Sequence, residues 1–173
     1  MKPVSELTLR AATTGDIPIL RALADRIWRV SYQEMLTSAQ MDYMLGWMYS
    51  AATLEREMAE GVRYELAELR GNPVGYLALS YDSELHRAEL HKLYLAPELQ
   101  GRGFGQVMLQ AALAQAAKLG AGEVRLRVNR HNARALRAYD CAGFQIESEL
   151  CQDIGDGFVM DDFVMVRPLI VGD

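Results

Sequence analysis

A chain of 173 residues with a net charge of −5, half of it apolar, is long enough for one domain with a real core. The acidic balance argues against a general nucleic-acid binder and suits cationic partners, and no apolar run reaches the roughly 18 residues of a membrane span. Cys141 and Cys151 and the scattered His86, His91 and His131 have neither redox nor metal-ligand spacing. With an opening MKPVSELTLR that lacks the apolar stretch of a secretory leader, the expectation is a cytoplasmic protein with reduced thiols and no metal.

In chain order, Leu7–Ala12 reads as a strand, and Asp16 as the N-cap of a helix over 17–30 with Pro18 in its first turn. A second helix follows Thr37-Ser38, carrying Met41, Met44, Leu45 and Met48, and a third covers about 51–60 and stops at Gly61. Val62–Leu69 and Val74–Tyr81 are strands separated by the turn Arg70-Gly71-Asn72-Pro73, and Ala88–Leu95 is a third strand ending before Pro97. Residues 104–119 form an amphipathic helix on Met108, Leu109, Ala112, Leu113 and Ala116. Val124, Leu126 and Val128 alternate with Arg125 and Arg127, a strand with one buried face. A helix over 132–142 stops at Gly143, and two strands, Phe144–Ile154 and Phe158–Arg167, flank Gly155-Asp156-Gly157. The order β-α-α-α-β-β-β-α-β-α-β-β, with no repeat or linker, predicts a single domain over 1–173 with helices packed on a mixed sheet.

The stretch LAPELQGRGFGQVML packs Gly101, Gly103 and Gly105 between a strand and a helix. A dinucleotide fingerprint requires glycine where Gln106 stands, and a nucleotide P-loop requires a Lys-Ser/Thr pair that is missing. Strand, tight loop and helix in that order direct unpaired backbone N–H groups at one spot, which suits a phosphate, and Arg102 adds positive charge.

The pattern Q-x-x-G-x-G at Gln100, Gly103 and Gly105 resembles the acetyl-CoA pyrophosphate loop of the GNAT superfamily of N-acetyltransferases. A second segment, Asn132 to Phe144 (NARALRAYDCAGF), resembles that superfamily's helix with an Asn, a Tyr seven residues later and a closing Gly-Phe. The likeness extends over roughly residues 5–168. It implies an α/β (mixed α+β) GNAT, or acyl-CoA N-acyltransferase, fold: a mixed, mostly antiparallel twisted sheet of about seven strands with helices on both faces. It implies acetyl-CoA as donor, held by the main chain of Leu93, Tyr94 and Leu95 and by Gln100, Gly101, Arg102, Gly103, Phe104, Gly105, Gln106, Asn132 and Tyr139. Asn129 and Arg130 are weaker candidates of the same kind. Tyr139 is assigned the proton of the departing CoA thiolate; a phenol with pKa near 10 holds that proton at neutral pH.

Acetyl transfer to an amine also needs the amine's proton removed. Glu89, eleven residues before Gln100, stands at an offset similar to the general-base glutamate of histone acetyltransferases of the superfamily, and His91 is the second candidate. Water remains a third. On a regular strand Glu89, His91, Leu93 and Leu95 share one face and Leu90, Lys92 and Tyr94 the other, with Lys92 read as a solvated charge. The acceptor is expected between the first helices and the last strands, beside Tyr32, Glu34 and Glu89, where Asp153, Asp156, Asp161 and Asp162 would attract a cation or simply form a turn. The stretches SYQEML…YML, LHKLYL and IGDGFVMDDFVM also resemble bacterial spermidine/spermine N-acetyltransferases. The reading is an N-acetyltransferase of a small-molecule amine, a polyamine preferred, with no nucleic acid and no membrane as partner and a homodimer left open. Alternatives are a protein N-terminus or lysine as acceptor, and a non-catalytic acyl-CoA-binding module.

Overall fold

The computed structural model describes residues 6–170. In chain order it comprises β1 (Leu7–Ala11), α1 (Ile17–Ser31), α2 (Ser38–Met48), α3 (Ala51–Ala59), β2 (Arg63–Leu69), β3 (Asn72–Asp82), β4 (Arg87–Leu95), α4 (Phe104–Lys118), β5 (Glu123–Asn129), α5 (Ala133–Cys141), β6 (Gln145–Gly155) and β7 (Phe158–Pro168). The element order is the one read from the sequence. The seven strands form one sheet in the order β1-β2-β3-β4-β5-β7-β6, antiparallel except between β4 and β5, which run parallel. This is the GNAT fold.

Helix starts follow local side-chain chemistry. Thr37 accepts from the Gln40 N–H at 3.1 Å and Ser50 from the Thr53 N–H at 3.1 Å, each satisfying a donor that the first helical turn cannot. Asp16 departs from expectation. It precedes α1, but its carboxylate turns back to the Thr13 N–H at 2.9 Å and to Arg10 at 2.9 Å, because a guanidinium attracts a carboxylate more strongly than a lone N–H. Arg10 and the Thr13 N–H hold that carboxyl down at about 2. The β2–β3 connection is also tighter than expected. Arg70 (φ 53°) and Gly71 (φ 80°) alone make the turn, and Asn72 and Pro73 already pair with β2.

The sheet buries both faces. Side chains alternate along β3, so Leu77 and Leu79 meet α4 (Leu109, Ala112, Leu113, Ala116) while Tyr76 and Ala78 meet α1 (Leu20, Ala24, Ile27, Trp28). Each fully buried Leu or Ile contributes about 1.5–3 kcal/mol relative to exposure. Tyr49 and Tyr76 bury their hydroxyls without loss by pairing them at 2.7 Å.

Two irregularities in the strands set the geometry around β4. Opposite Ala78 and Leu79, β4 supplies Lys92 and Leu90, so His91 is an extra residue, a β-bulge. Gly75 lies against β4, where a Cβ would stand 2.5 Å from the Tyr94 carbonyl oxygen and 3.3 Å from the Leu95 Cα. We expect Gly75→Ala to force the strands apart and cost about 1–3 kcal/mol, read as a lower urea midpoint at unchanged m-value. An unshifted midpoint would mean the strands separate freely here.

Candidate active-site cleft

Strands β4 and β5 pair from Arg87–Glu123 to Leu90–Leu126 and then part. Beyond that point β4 stays with β3 as far as Leu95–Gly75, and β5 with β7 as far as Asn129–Asp162. The wedge between them opens a cleft of about 930 Å³ that runs from the glycine loop at one end to α1, α2 and the β6–β7 hairpin at the other.

The bulge changes which side chains share a face. Ala88 and Leu90 pack toward α4, and after the extra residue Leu93 does so too, whereas Lys92 and Tyr94 turn toward α1. The regular alternation expected from the sequence therefore holds only up to Leu90. Main-chain direction is equally specific. Ala96 N–H donates to the Val74 carbonyl at 2.8 Å, so by antiparallel alternation Tyr94 spends its N–H and C=O on β3, while Leu93 and Leu95 direct theirs into the wedge. Tyr94 is thus corrected from a main-chain contact to a packed aromatic whose hydroxyl lies 3.0 Å from that of Tyr32. The Leu95 carbonyl is taken by the Gln100 side chain at 3.1 Å, which pins the start of the loop.

Gly101 (φ 78°) and Gly103 (φ 88°) take left-handed backbone that a side chain would strain. The first bond into α4 is Val107 N–H to the Gly103 carbonyl at 3.2 Å, leaving the N–H groups of Phe104, Gly105 and Gln106 at the helix terminus without helical partners. A Cβ on Gly103 or Gly105 would meet no protein atom, yet both residues line the cleft. That open, donor-rich cradle fits a pyrophosphate. The Phe104 side chain is buried among Leu7, Ala67, Leu95 and Met108, so only its N–H faces the task. Arg102 lies over the Phe104 ring, 5.2 Å from its centroid. Gln106 donates to the Ala138 carbonyl at 3.3 Å, tying α4 to α5. Arg134, which the sequence pattern did not single out, comes within 3.6 Å of where a Gly101 Cβ would sit and adds a second cation. Its signal was position: two residues beyond the Asn132 cap.

Asn132 caps α5, its Oδ1 accepting from the Ala135 N–H at 3.2 Å, and it lines the cleft as well. Two turns on, Tyr139 lines the same wall, packed edge-on to Phe144 at 5.6 Å. Burial, reinforced by Tyr32, pushes its phenol above the ordinary value, so the proton stays on at neutral pH. Asn129 shapes the approach to α5 by accepting from the His131 N–H at 2.9 Å. Arg130 is held away from the cleft by Asp161 at 2.7 Å and by Glu149.

At the other end, Glu89 and His91 line the cleft together, with Glu89 Oε1 3.8 Å from His91 Nδ1. Burial lowers the imidazole's pKa against the opposing pull of Glu89. Tyr32 lines the cleft, but Glu34 does not: it is exposed in a neighbouring hollow with Gln33 and His131, because α1 ends at Ser31 and the turn beyond carries it outward. Of the four hairpin aspartates only Asp162 faces the cleft, 5% exposed, its pKa raised by burial. Asp153 accepts from the Gly155 N–H, Asp156 makes the turn, and Asp161 holds Arg130.

Lys92 is the largest departure. Expected in solvent, it is 6% exposed, its Nζ 3.2 Å from Glu57, in contact with the Tyr64 hydroxyl, and 4.6 Å and 4.9 Å from the ring centroids of Tyr49 and Tyr64. The bulge at His91 moves it from the face of Leu90, where regular alternation would put it, to the face packed on α1. Neither Glu57 nor Tyr64 was legible as its partner, since both come from elements far away in sequence.

Residues 23–144 match the model of the acetyltransferase (GNAT) family. An uncharacterized N-acetyltransferase of Mycobacterium tuberculosis is 39% identical over 100 residues, which are 58% of this chain and 63% of that protein, so the match spans under two thirds of the relative's length. A spermidine N(1)-acetyltransferase of Vibrio cholerae is 27% identical over 152 residues, 86% of this chain and 84% of that one. A PaiA N-acetyltransferase of Thermoplasma acidophilum, crystallised in complex with coenzyme A, superposes with a TM-score of 0.81 at 24% identity, covering 94% of this chain and 99% of the other.

Removing Lys92 leaves the Glu57 carboxylate with the Tyr64 hydroxyl and no cation. We expect Lys92→Met to cost about 1–3 kcal/mol in chemical denaturation, less than a fully buried pair because Glu57 keeps some solvent, and Glu57→Gln in the same chain to restore part of it. Additive losses in the double variant would show the pair to be uncoupled.

Proposed function

Because the chain belongs to the acetyltransferase (GNAT) family, we propose that it transfers an acetyl group from acetyl-CoA to a primary amine, with a polyamine or similar small cation as preferred acceptor. The observation that carries this is the meeting, in one cleft, of an anion cradle, a protonated phenol and a carboxylate–imidazole pair. The cradle residues Gly101, Gly103, Gly105 and Gln106, with Arg102 and Arg134 beside them, would hold the pyrophosphate of acetyl-CoA. When bound, that molecule supplies the activated acetyl thioester.

The chain's own groups divide the remaining work. The Leu93 and Leu95 N–H groups, freed by the wedge, orient an extended arm along β4 and offer a donor where negative charge develops on a carbonyl oxygen; one such donor is worth about 2.7–4 kcal/mol. Glu89 and His91 bind the acceptor's nitrogen and accept its proton, which an amine with pKa near 10 carries at neutral pH. Tyr139 holds the proton that a leaving thiolate needs. Asp162 and Glu89 give the acceptor end carboxylates on two different strands, which supports a cationic substrate, as does the similarity to spermidine N(1)-acetyltransferases. The exposed Trp47 and Val159 at that end favour, as a second reading, a longer acceptor such as a protein N-terminus or lysine.

The test is CoA thiol release with spermidine, spermine, putrescine, amino acids and lysine peptides. Turnover greatest with a polyamine, and a kcat about 10²-fold lower in Tyr139→Phe, is expected. Binding of acetyl-CoA without turnover of any amine would leave a binding module. At saturating amine, kcat should fall on the acid side with an apparent pKa below the ordinary imidazole value of about 6.5, because only the neutral ring accepts a proton and burial disfavours the charged one. Glu89→Gln should move that limb to still lower pH, since the carboxylate stabilises imidazolium; a limb that stays put would exclude His91.

A further inference from the structure

Ser80 of β3 sits directly across from Glu89, and its Oγ lies 2.7 Å from His91 Nε2. Among the described residues no other side chain lies within hydrogen-bond distance of the imidazole. The second ring nitrogen, Nδ1, is 3.8 Å from Glu89 Oε1, which is too long for a direct hydrogen bond and short enough for one donor atom to sit against both. We propose that Ser80 is a positioning residue: its hydroxyl accepts the Nε2–H of His91, so that Nδ1 presents its lone pair beside Glu89 and the two form a converging pair of acceptors for the substrate's ammonium.

The bulge makes this arrangement necessary. An extra residue in a strand lacks the cross-strand neighbour that normally fixes a side chain, and about a third of the His91 side chain (32%) remains exposed. Without Ser80 the ring could rotate and exchange its nitrogens. With it, Nε2 is occupied against β3 and Nδ1 is the atom left for the cleft. The groups acting on the ring are Glu89 on its own strand, Lys92 next to it, Glu57 from α3 and Arg127 from β5. Two of these are cations and two are carboxylates; a ring that accepts the substrate's proton at Nδ1 carries its own at Nε2, and there the Ser80 oxygen is the acceptor within reach. Proton balance is simple: an ammonium N–H passes its proton to Nδ1, the amine nitrogen keeps its lone pair for attack, and the ring becomes imidazolium with both nitrogens protonated.

This rests on the reading of His91 as the proton acceptor, and two measurements keep the readings apart. Nitrogen-15 NMR of the histidine rings in the full chain, with His91 assigned through His91→Gln, reads the tautomer with no reaction at all. Wild type should show neutral His91 protonated at Nε2; Ser80→Ala should show mixed tautomers and a changed titration midpoint, and Ser80→Thr should restore the single form. Neutral His91 protonated at Nδ1 in wild type, or a tautomer unchanged in a folded Ser80→Ala, would overturn the proposal. In turnover, Ser80→Ala should lower kcat/KM about three- to tenfold, the scale of one lost hydrogen bond, with Ser80→Thr recovering it. A shifted tautomer with unchanged turnover would sink the proton-acceptor role and leave the Ser80–His91 coupling standing.

Discussion

The parting of β4 from β5 after Leu90 is the constraint from which the site arises. Two parallel strands that stopped pairing without other support would strand a row of backbone polar groups. Here each strand keeps its other neighbour, β3 or β7, and only one side of each is bared. On β4 that side belongs to Leu93 and Leu95, whose free N–H groups are what an extended polar ligand can pair with. The His91 bulge sits at the parting point. It adds local twist, turns the strand away from β5 and, in the same step, carries Lys92 and Tyr94 to the face packed on α1.

The cleft is electrically two-ended. The α4 terminus contributes roughly half a positive charge, with Arg102 and Arg134 close by. At the far end stand Glu57, Glu89 and Asp162, of which Glu57 is already matched by Lys92. An anion and a cation entering from opposite ends are therefore each drawn toward the other. Separation also protects both ends: an acidic group beside the glycine loop would repel a pyrophosphate, and there is none lining it among the described residues.

Packing supports this geometry with a cluster of aromatic rings beneath the end of the cleft that lies against α1. Trp28 meets Tyr32, Tyr49 and Tyr94 at 5.0, 5.6 and 5.9 Å, and Tyr76 lies against Tyr94 at 5.4 Å. Their hydroxyls are satisfied in pairs, Tyr32 with Tyr94 and Tyr49 with Tyr76, so the tyrosines bury area without stranding their polar atoms. Rigid rings locked by hydroxyl pairs hold the wall firmly. Lys92, gripped by Glu57 and flanked by the rings of Tyr49 and Tyr64, extends the same wall to the base of the cleft.

Much of the architecture was determined by the sequence alone, because it was written in local periodicity. The helix stripe of Met108, Leu109, Ala112 and Leu113, the alternation from Val124 to Val128 and the glycine loop each depend on neighbours within a few residues. The glycine loop and the Asn132-to-Tyr139 spacing also carried the resemblance that implied the fold, and helix geometry puts Asn132 and Tyr139 on one face. What only the tertiary structure decided was pairing across distance. A one-residue bulge has no signature in LHKLYL, yet it moves every side chain after it to the opposite face, and so sets Lys92, which reads as a solvated charge, against Glu57 and Tyr64 instead of on the face of Leu90. Glu34 and Asp162 are equally acidic in sequence; only the end of α1 and the β5–β7 register send one outward and the other into the cleft. Ser80 and His91 are eleven residues apart, and nothing but antiparallel register brings a hydroxyl to that ring. Local chemistry is encoded by neighbours in the chain, and a site by neighbours in space.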